Sequence, residues 1–403
     1  MKKGMQTTSA ITKMNTEKCG DSSVVERNLS KVEVAGAIPA LRSKNIYVTM
    51  KVSVIGTGNV GVAIAADLSA GGHEVTLIKS SSTKSKAYDR LQSNDNRVFL
   101  KEDGKYTKTQ IKELTSDLSK AEQSGVIIVT IQSTYHNELY KRLAPYLDSS
   151  KVVICICSYL SSFYLTQYCN AVPMIAETTG PYLEGRVEMD DMPGEVVFRV
   201  GCRLTNSPLS LFHKHRTEEA MWAIRALYKG FNNSYSVIES ALLNPNMVLH
   251  TVGAIMSIPR IEFSDGNFCM YREAYSRKND ATLKIMLKLD EEKKQVLKRL
   301  GGRPIDIFVA GGFLGEPLES FYSYSESDDR AVSPTSIRSR YITEDVSQGL
   351  VLLESIAKQI GVDTPVTTSL IDIAGAALGE DFRANGRTIQ KLCAVRYIEH
   401  LSE

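Results

Sequence analysis

A single tryptophan stands among 403 residues, and the cysteines number only seven. No two of those cysteines form a Cys-x-x-Cys pair, so their spacing shows neither a zinc site nor a disulfide framework. Cys155 and Cys157, two apart on an expected strand, share one face as small core residues. That usage fits a reducing, cytoplasmic setting. Long apolar runs are also missing: the longest, such as 126–131, match a core strand and fall short of the ~18 residues of a membrane span. Nor does one sign of charge prevail, with 48 Lys and Arg against 46 Asp and Glu. Without a basic excess there is no electrostatic footprint of a nucleic-acid binder. Neither nucleic acid nor membrane is therefore an expected partner. A hydrophobic share of 43% and a charged share of 23% are those of an ordinary globular protein, long enough for two domains.

Residues 1–49 lack sustained periodicity and hold no apolar h-region of a secretory signal. Within them, DSSVVERNLSKVEVAGAIPALRS (21–43) resembles the product of translating across a transfer-RNA gene. The expectation is a non-native or disordered extension, with translation starting at Met50. The stretch holds eight Lys and Arg against four Asp and Glu, leaving 40 basic and 42 acidic residues in the rest. The slight positive balance of the whole chain therefore comes from this extension.

What is present is concentrated first in residues 50–79, MKVSVIGTGNVGVAIAADLSAGGHEVTLIK. Residues 52–55 are a β-branched run that reads as a buried strand. The turn Gly56-Thr57-Gly58-Asn59-Val60-Gly61 follows at once, residues 60–70 carry a helical apolar pattern, and Gly71-Gly72 ends it before a second strand at 74–78. A GxGxxG set between strand and helix in a βαβ unit is a dinucleotide fingerprint. Gly56 serves the tight turn, Gly58 the backbone approach to a pyrophosphate, and Gly61 close helix–strand packing. The helix N-terminus beyond them offers free N–H groups and a positive dipole end to phosphate. Gly56, Thr57, Gly58, Asn59, Val60 and Gly61 are thus the expected cofactor loop.

The end of the second strand separates NAD from NADP. An acidic residue there would accept from the ribose 2′-hydroxyl, but this chain places Lys79 there, followed by Ser80, Ser81, Ser82, Thr83 and Lys84. Lys79, Ser80, Ser81 and Lys84 suit a 2′-phosphate, to which lysine makes charge-assisted bonds. NADP(H) is the expected cofactor, with NAD(H) as the second candidate.

Beyond this unit the pattern predicts a helix at 107–124, strands at 126–132, 152–157, 173–176 and 194–203, an amphipathic helix at 217–228 and a last short strand at 235–238. Residues 133–147 read as loop plus helix. This alternation predicts an α/β architecture, an N-terminal Rossmann dinucleotide-binding domain with a parallel sheet over 50–239. Ligands bind beyond the carboxyl ends of such strands, which makes His136 a candidate for contact with cofactor or substrate. His213 and His215, beside Lys214 and Arg216, read as solvated residues of a polar loop rather than metal ligands.

From residue 240 the pattern becomes helical, predicting a mainly α-helical C-terminal domain over 240–403. Asn244-Pro245 reads as a cap and first helical position. A charged amphipathic helix spans 280–300 and stops at Gly301-Gly302, and the Gly/Ser-rich stretch 310–339 reads as a mobile loop. Thr343 reads as the cap of a helix with Glu344 and Asp345 in its first turn, ending at Gly361. Thr364-Pro365 starts another helix, ending near Gly379. The expected site lies in the cleft between the two domains.

Asn246 and His250, four residues apart, share one face of the helix starting at Asn244. Asp345 taken alone complements a helix dipole. Arg338, Arg340 and Tyr341 precede it, and a guanidinium matches a carboxylate bidentately.

The segments NPNMVLH (244–250), RYITEDVSQGLV (340–351) and GVDTPVTTSLIDIA (361–374) together resemble the opine dehydrogenases, the octopine/nopaline dehydrogenase family. The resemblance extends from Met50 to the C-terminus. It implies reductive condensation of an amino acid's amino group with an α-keto acid, using NADH or NADPH. It places the catalytic histidine on His250 and its supporting acid on Asp345. Asn246, Arg340, Tyr341 and His136 are the accompanying substrate candidates. Many members have a proline after the histidine and another after EDV, where this chain has Thr251 and Ser347. The partners implied are an amino acid and a keto acid, with a homodimer as the assembly and no metal. Two alternatives remain. One is a hydroxy-acid or hydroxy-phosphate reductase of ketopantoate-reductase or glycerol-phosphate-dehydrogenase type, which relies on a catalytic lysine that has no comparably placed counterpart here. The other is a nucleotide-binding sensor without turnover.

Overall fold

The computed structural model describes residues 48–403 apart from 190, 213–214, 314 and 328–332. The expected extension therefore lies almost wholly, and His213 wholly, outside the described residues. The chain forms two compact units, one ending at Val237 and the other beginning at Ile238.

In the first unit a large sheet is formed by β1 (Lys51–Ile55), β2 (Glu74–Ile78), β5 (Glu113–Thr115), β6 (Val126–Val129), β7 (Val152–Ile156), β8 (Met174–Thr178), β11 (Ser207–Leu211) and β12 (Phe231–Asn233), with β-branched runs making the buried central strands β1, β6 and β7. Their order is β12-β11-β8-β7-β6-β1-β2-β5. The six strands from β8 to β5 run parallel, and β11 is antiparallel to β8. Both β6 and β7 are buried at every residue, as strands covered on two faces must be. Helix α1 (Asn59–Ala70) follows β1 and buries Val62, Ile64 and Leu68. Burying each such side chain contributes ~1.5–3 kcal/mol. Helices α2 (Lys86–Ser93), α3 (His136–Leu143), α4 (Ser162–Tyr168) and α5 (Thr217–Leu227) complete the helical layers.

A second sheet was not expected. Strands β3 (Arg97–Glu102), β4 (Lys105–Gln110), β9 (Leu183–Glu188) and β10 (Val196–Arg203) pair in the order β4-β3-β10-β9. The helix predicted over 107–124 is therefore replaced by β4, β5 and a short 3₁₀ turn, Leu118–Gln123. The reason is a two-residue hairpin. Glu102 pairs with Lys105 across Asp103-Gly104, whose φ angles are +50° and +74°. An Asp-Gly pair with both φ positive closes a hairpin matched to strand twist. Residues 194–203 do form a strand, but in this smaller sheet. The final strand falls at Phe231–Asn233, and the residues predicted as strand at 235–238 instead lead into α6 (Val237–Leu242). Polar Asn232 and Asn233 masked the strand's apolar pattern, although Phe231 is buried.

The second unit is helical. Its elements are α7 (Asn246–Met256), α8 (Ile258–Ser264), α9 (Met270–Ala274), α10 (Asp280–Arg299), α11 (Ile307–Ala310), α12 (Pro317–Glu326) and α13 (Arg340–Thr343). A π-helical turn, Asp345–Leu350, then leads into α14 (Val351–Ile360), followed by α15 (Pro365–Leu378), α16 (Phe382–Asn385) and α17 (Val395–Ser402). The stretch 310–339 is not a structureless loop. It contains α12, whose fully buried Phe321 meets the rings of Tyr275, Phe308 and Phe313 at 5.2–5.5 Å. Aromatic clustering thus supplies the order that low periodicity concealed. The helix carrying Asp345 also starts earlier than its apparent cap, at Arg340, so Thr343 lies inside it and its hydroxyl donates to the Ser339 carbonyl. No single described helix is long and apolar enough to cross a membrane.

Candidate functional site

The glycine loop of the first unit is built by two close approaches and one open position. Gly56 has φ +123°, and a Cβ there would stand 2.5 Å from Thr130 Oγ1. A Cβ on Gly61 would overlap the Gly56 carbonyl oxygen. At Gly58 a Cβ would meet no protein atom within 4 Å. Packing therefore demands glycine at 56 and 61 but leaves 58 as an open cradle of backbone. The first turn of α1 carries no acidic side chain, so its positive end is uncompensated and suits a pyrophosphate. Thr57 is half-buried, and its carbonyl accepts from Ser85 Oγ at 3.2 Å. Asn59 Oδ1 accepts the Val187 N–H at 3.0 Å, which ties the loop to β9. Val60 packs against the core. These residues fit a dinucleotide.

At the end of β2, Lys79 is half-buried. Its Nζ donates to the Ser81 carbonyl at 3.0 Å and lies 5.9 Å over the Tyr88 ring. Ser81 and Lys84 are exposed. The structure adds a cation that sequence reasoning missed: Arg142, near the end of α3, donates to the Ser80 carbonyl at 3.1 Å. It lies 62 residues away in the chain, and no local pattern links it to the strand end.

His136 falls elsewhere. Its ring is fully buried, with Nδ1 2.5 Å from Ser161 Oγ and Nε2 3.2 Å from the Ile131 carbonyl. With both nitrogens engaged inside the first unit, His136 is a structural residue and leaves the set of substrate-contact candidates.

In the second unit, Asn244 Oδ1 accepts the Asn246 N–H at 3.0 Å and Pro245 opens α7, as the cap pattern predicts. Half-buried Asn246 and buried His250 then lie one turn apart. The π-helical turn brings Asp345 to His250, with Nδ1 and Oδ2 2.8 Å apart and both side chains almost wholly buried. An ionised carboxylate only accepts, so His250 donates from Nδ1 and Nε2 is left as the proton-exchanging atom. Burial lowers the His250 pKa from its usual value; the Asp345 bond opposes this, and Arg340 adds to the lowering. The imidazole is therefore neutral at pH 7. Tyr341 lies flat on it, with ring centroids 3.7 Å apart and planes 6° from parallel. Tyr341 was expected to touch substrate; in the structure its ring backs the imidazole and fixes its plane. Arg340 Nη1 donates to Glu344 Oε2 at 3.1 Å. Arg338 instead binds Glu380 and the Leu378 carbonyl at the end of α15, so it is not a second arm of a clamp.

Replacing Asp345 with Asn removes the contact that raises the His250 pKa. The pKa therefore falls further, and the acidic limb of the kcat/KM profile moves to lower pH. Turnover drops as well, because the amide no longer selects the Nδ1–H tautomer. A pH–rate series on Asp345→Asn tests both, and an unmoved acidic limb would separate Asp345 from the titration.

A dinucleotide-binding α/β unit followed by a helical unit holding a buried His–Asp pair defines an NAD(P)-linked dehydrogenase. Residues 52–157 match the ketopantoate reductase PanE/ApbA model, and residues 233–378 match that of the NAD/NADP octopine/nopaline dehydrogenase, alpha-helical domain. The helical unit thus matches the opine dehydrogenase family over residues 233–378, and the relatives of the chain as a whole are opine-forming enzymes by name. It is 26% identical over 359 residues to vitopine synthase of Allorhizobium ampelinum, covering 85% of this chain and 95% of that protein. It is 24% identical over 353 residues to opine dehydrogenase of Arthrobacter sp., covering 84% and 94%. Among solved structures, octopine dehydrogenase described with NADH and L-arginine superposes with a TM-score of 0.68 at 19% identity, over 88% of this chain and 98% of that one. Yersinopine dehydrogenase bound to NADP+ gives 0.66 at 15%, over 88% and 99%. These two likenesses establish the shared fold.

Proposed function

We propose that the chain catalyses NAD(P)H-dependent reductive condensation of an amino acid with an α-keto acid, through an imine, to an N-(carboxyalkyl) amino acid. The observation that carries this reading is the buried His250 imidazole, held at Nδ1 by Asp345 with Nε2 as its exchanging atom. Relatives named vitopine synthase and opine dehydrogenase support it, as do neighbours described with NADH and L-arginine or pyruvate.

The amine nitrogen attacks the keto carbon, forming a C–N bond as the C=O π pair moves to oxygen, and His250 Nε2 takes a proton from that nitrogen and passes it to the alkoxide, giving the carbinolamine hydroxyl. A second proton, taken up by Nε2 from solvent and held on an imidazolium steadied by Asp345 and Tyr341, goes to that hydroxyl, which leaves as water while the nitrogen lone pair closes the C=N bond of the iminium. Such proton transfers by a positioned group contribute ~10²–10⁴-fold. Gly56, Thr57, Gly58, Asn59, Val60 and Gly61 would hold the dinucleotide, which when bound would supply the hydride that reduces the C=N bond. Arg340 takes a substrate carboxylate and Asn246 orients the amine or the nicotinamide amide.

The basic end of β2 supports NADP(H) as the preferred cofactor. Lys79, Ser80, Ser81 and Lys84 meet the 2′-phosphate, with Arg142 as a further cation. Lys79→Asp shifts the preference from NADPH toward NADH, measured as the ratio of kcat/KM values; an unchanged ratio removes Lys79 from the phosphate site.

The primary test follows NADPH consumption by the purified protein with pyruvate or another keto acid, with and without a panel of amino acids. Oxidation that requires both substrates supports condensation. Oxidation with the keto acid alone replaces it with hydroxy-acid reduction.

A further inference from the structure

The second unit contains one structural device that the reading above does not use. Between α13 and α14 the helix widens into the π turn Asp345–Leu350. Such turns are rare and interrupt the regular ladder. Successive α-helical residues are rotated by roughly 100°, so one extra residue in a turn rotates everything upstream by about that angle. Downstream, α14 is held by its buried Val351, Leu352, Leu353 and Ile356. Asp345 is the first residue of the turn and Tyr341 lies upstream of it, and these two groups touch His250. The π turn therefore sets which way both of them face.

A widened turn needs partners for its polar groups. Here they come from outside the helix, from the short turn after α16. The Arg387 N–H donates to the Ser347 carbonyl at 2.8 Å. Arg387 Nε donates to Gln348 Oε1 at 3.0 Å, and Gln348 Nε2 donates to Ser347 Oγ at 2.9 Å. Ser347 Oγ in turn donates to the Thr343 carbonyl at 2.6 Å. Ser347, Gln348 and Arg387 are all buried. Gly386 permits the approach: a Cβ there would stand 2.5 Å from the Ser347 carbonyl oxygen and would also collide with that of Phe382.

We infer that Gly386, Arg387 and Gln348 form a clamp on the π turn and are positioning residues for the His250–Asp345 pair. They act through Asp345. The inference rests on the catalytic reading of His250, but its first readout does not. Nitrogen NMR of the imidazole reports the His250 pKa directly. Two charged groups act on that ring, Asp345 raising its pKa and Arg340 lowering it. A displaced Asp345 therefore gives a lower value.

In Gly386→Ala the His250 pKa falls and kcat drops about 10²-fold, the loss that a ~1 Å misplacement produces. Gly379→Ala is the control: it strains the cap of α15, where φ is +66°, and leaves the His250 pKa in place. Gln348→Leu shows the same effect in weaker form, and Gln348→Glu, which keeps the acceptor for Arg387 but loses the donor to Ser347 Oγ, recovers part of it. That pair keeps the test open if Gly386→Ala fails to fold. A folded Gly386→Ala or Gln348→Leu protein with an unmoved His250 pKa overturns the clamp. A moved pKa in a protein that condenses no substrates upholds the clamp and overturns the proposed reaction instead.

Discussion

His250→Ala lowers turnover about 10²–10⁴-fold and leaves dinucleotide affinity nearly unchanged. The size follows from chemistry. In the proposed condensation both proton transfers pass through Nε2, and alanine leaves no group to replace it. The selectivity follows from placement, because His250 belongs to the helical unit and the glycine loop to the α/β unit. The substitution removes a buried ring stacked on Tyr341, so thermal stability must be measured beside activity. His250→Gln, with similar bulk and no titration near neutral pH, separates the two effects: it keeps packing and loses turnover. Steady-state rates with both substrates, plus NADPH titration by fluorescence, decide the matter. Full turnover in a folded His250→Gln protein defeats the catalytic assignment.

Gly61→Ala damages the other unit. The added Cβ collides with the carbonyl oxygen of Gly56 and reaches 2.8 Å from Thr130 Oγ1. The first of these is backbone inside the β1–α1 turn and has no rotamer to escape into. Overpacking of this kind costs ~1–3 kcal/mol or more, and each kcal/mol lowers Tm by about 2–4 °C in a unit of this size. Relief requires α1 to move away from β1, which carries its N-terminus off the pyrophosphate position, so affinity for the dinucleotide falls too. Gly58→Ala provides the contrast. Its Cβ meets no protein atom and its φ of −80° suits any residue, so Tm holds while NADPH affinity drops. Differential scanning fluorimetry with and without NADPH reads both variants. Equal melting of Gly61→Ala and wild type would refute the packing argument, and unweakened binding by Gly58→Ala would refute the cradle.

The contrast between these glycines also shows where sequence reasoning succeeds. Strand, glycine turn and helix are contiguous, and each is selected by short-range sterics, so residues 50–79 specify their own conformation. The same holds for α7, opened by Asn244 and Pro245, and for the αL stops at Gly361 and Gly379. Asp103-Gly104 was equally local evidence for a hairpin, and it outranked the apparent helical pattern that followed. His250 and Asp345 emerged as a pair through resemblance to a family, since separately each has an ordinary structural reading.

Local chemistry does not reach across the chain. His250 and Asp345 are 95 residues apart, and periodicity assigns each a helix face without naming what that face meets. Arg142 beside Ser80, Tyr341 flat on the imidazole, and His136 sealed between Ser161 and Ile131 all depend on long-range packing. The π turn depends on it most, because the bonds that stabilise it come from the Gly386–Arg387 turn after α16. The sequence by itself determined the βαβ dinucleotide unit, its basic strand end and the helical character of the second half, through interactions a few residues long. The tertiary structure decided the second sheet, the pairing of His250 with Asp345 and the direction in which that pair faces, because those depend on contacts that exist only once distant segments have packed.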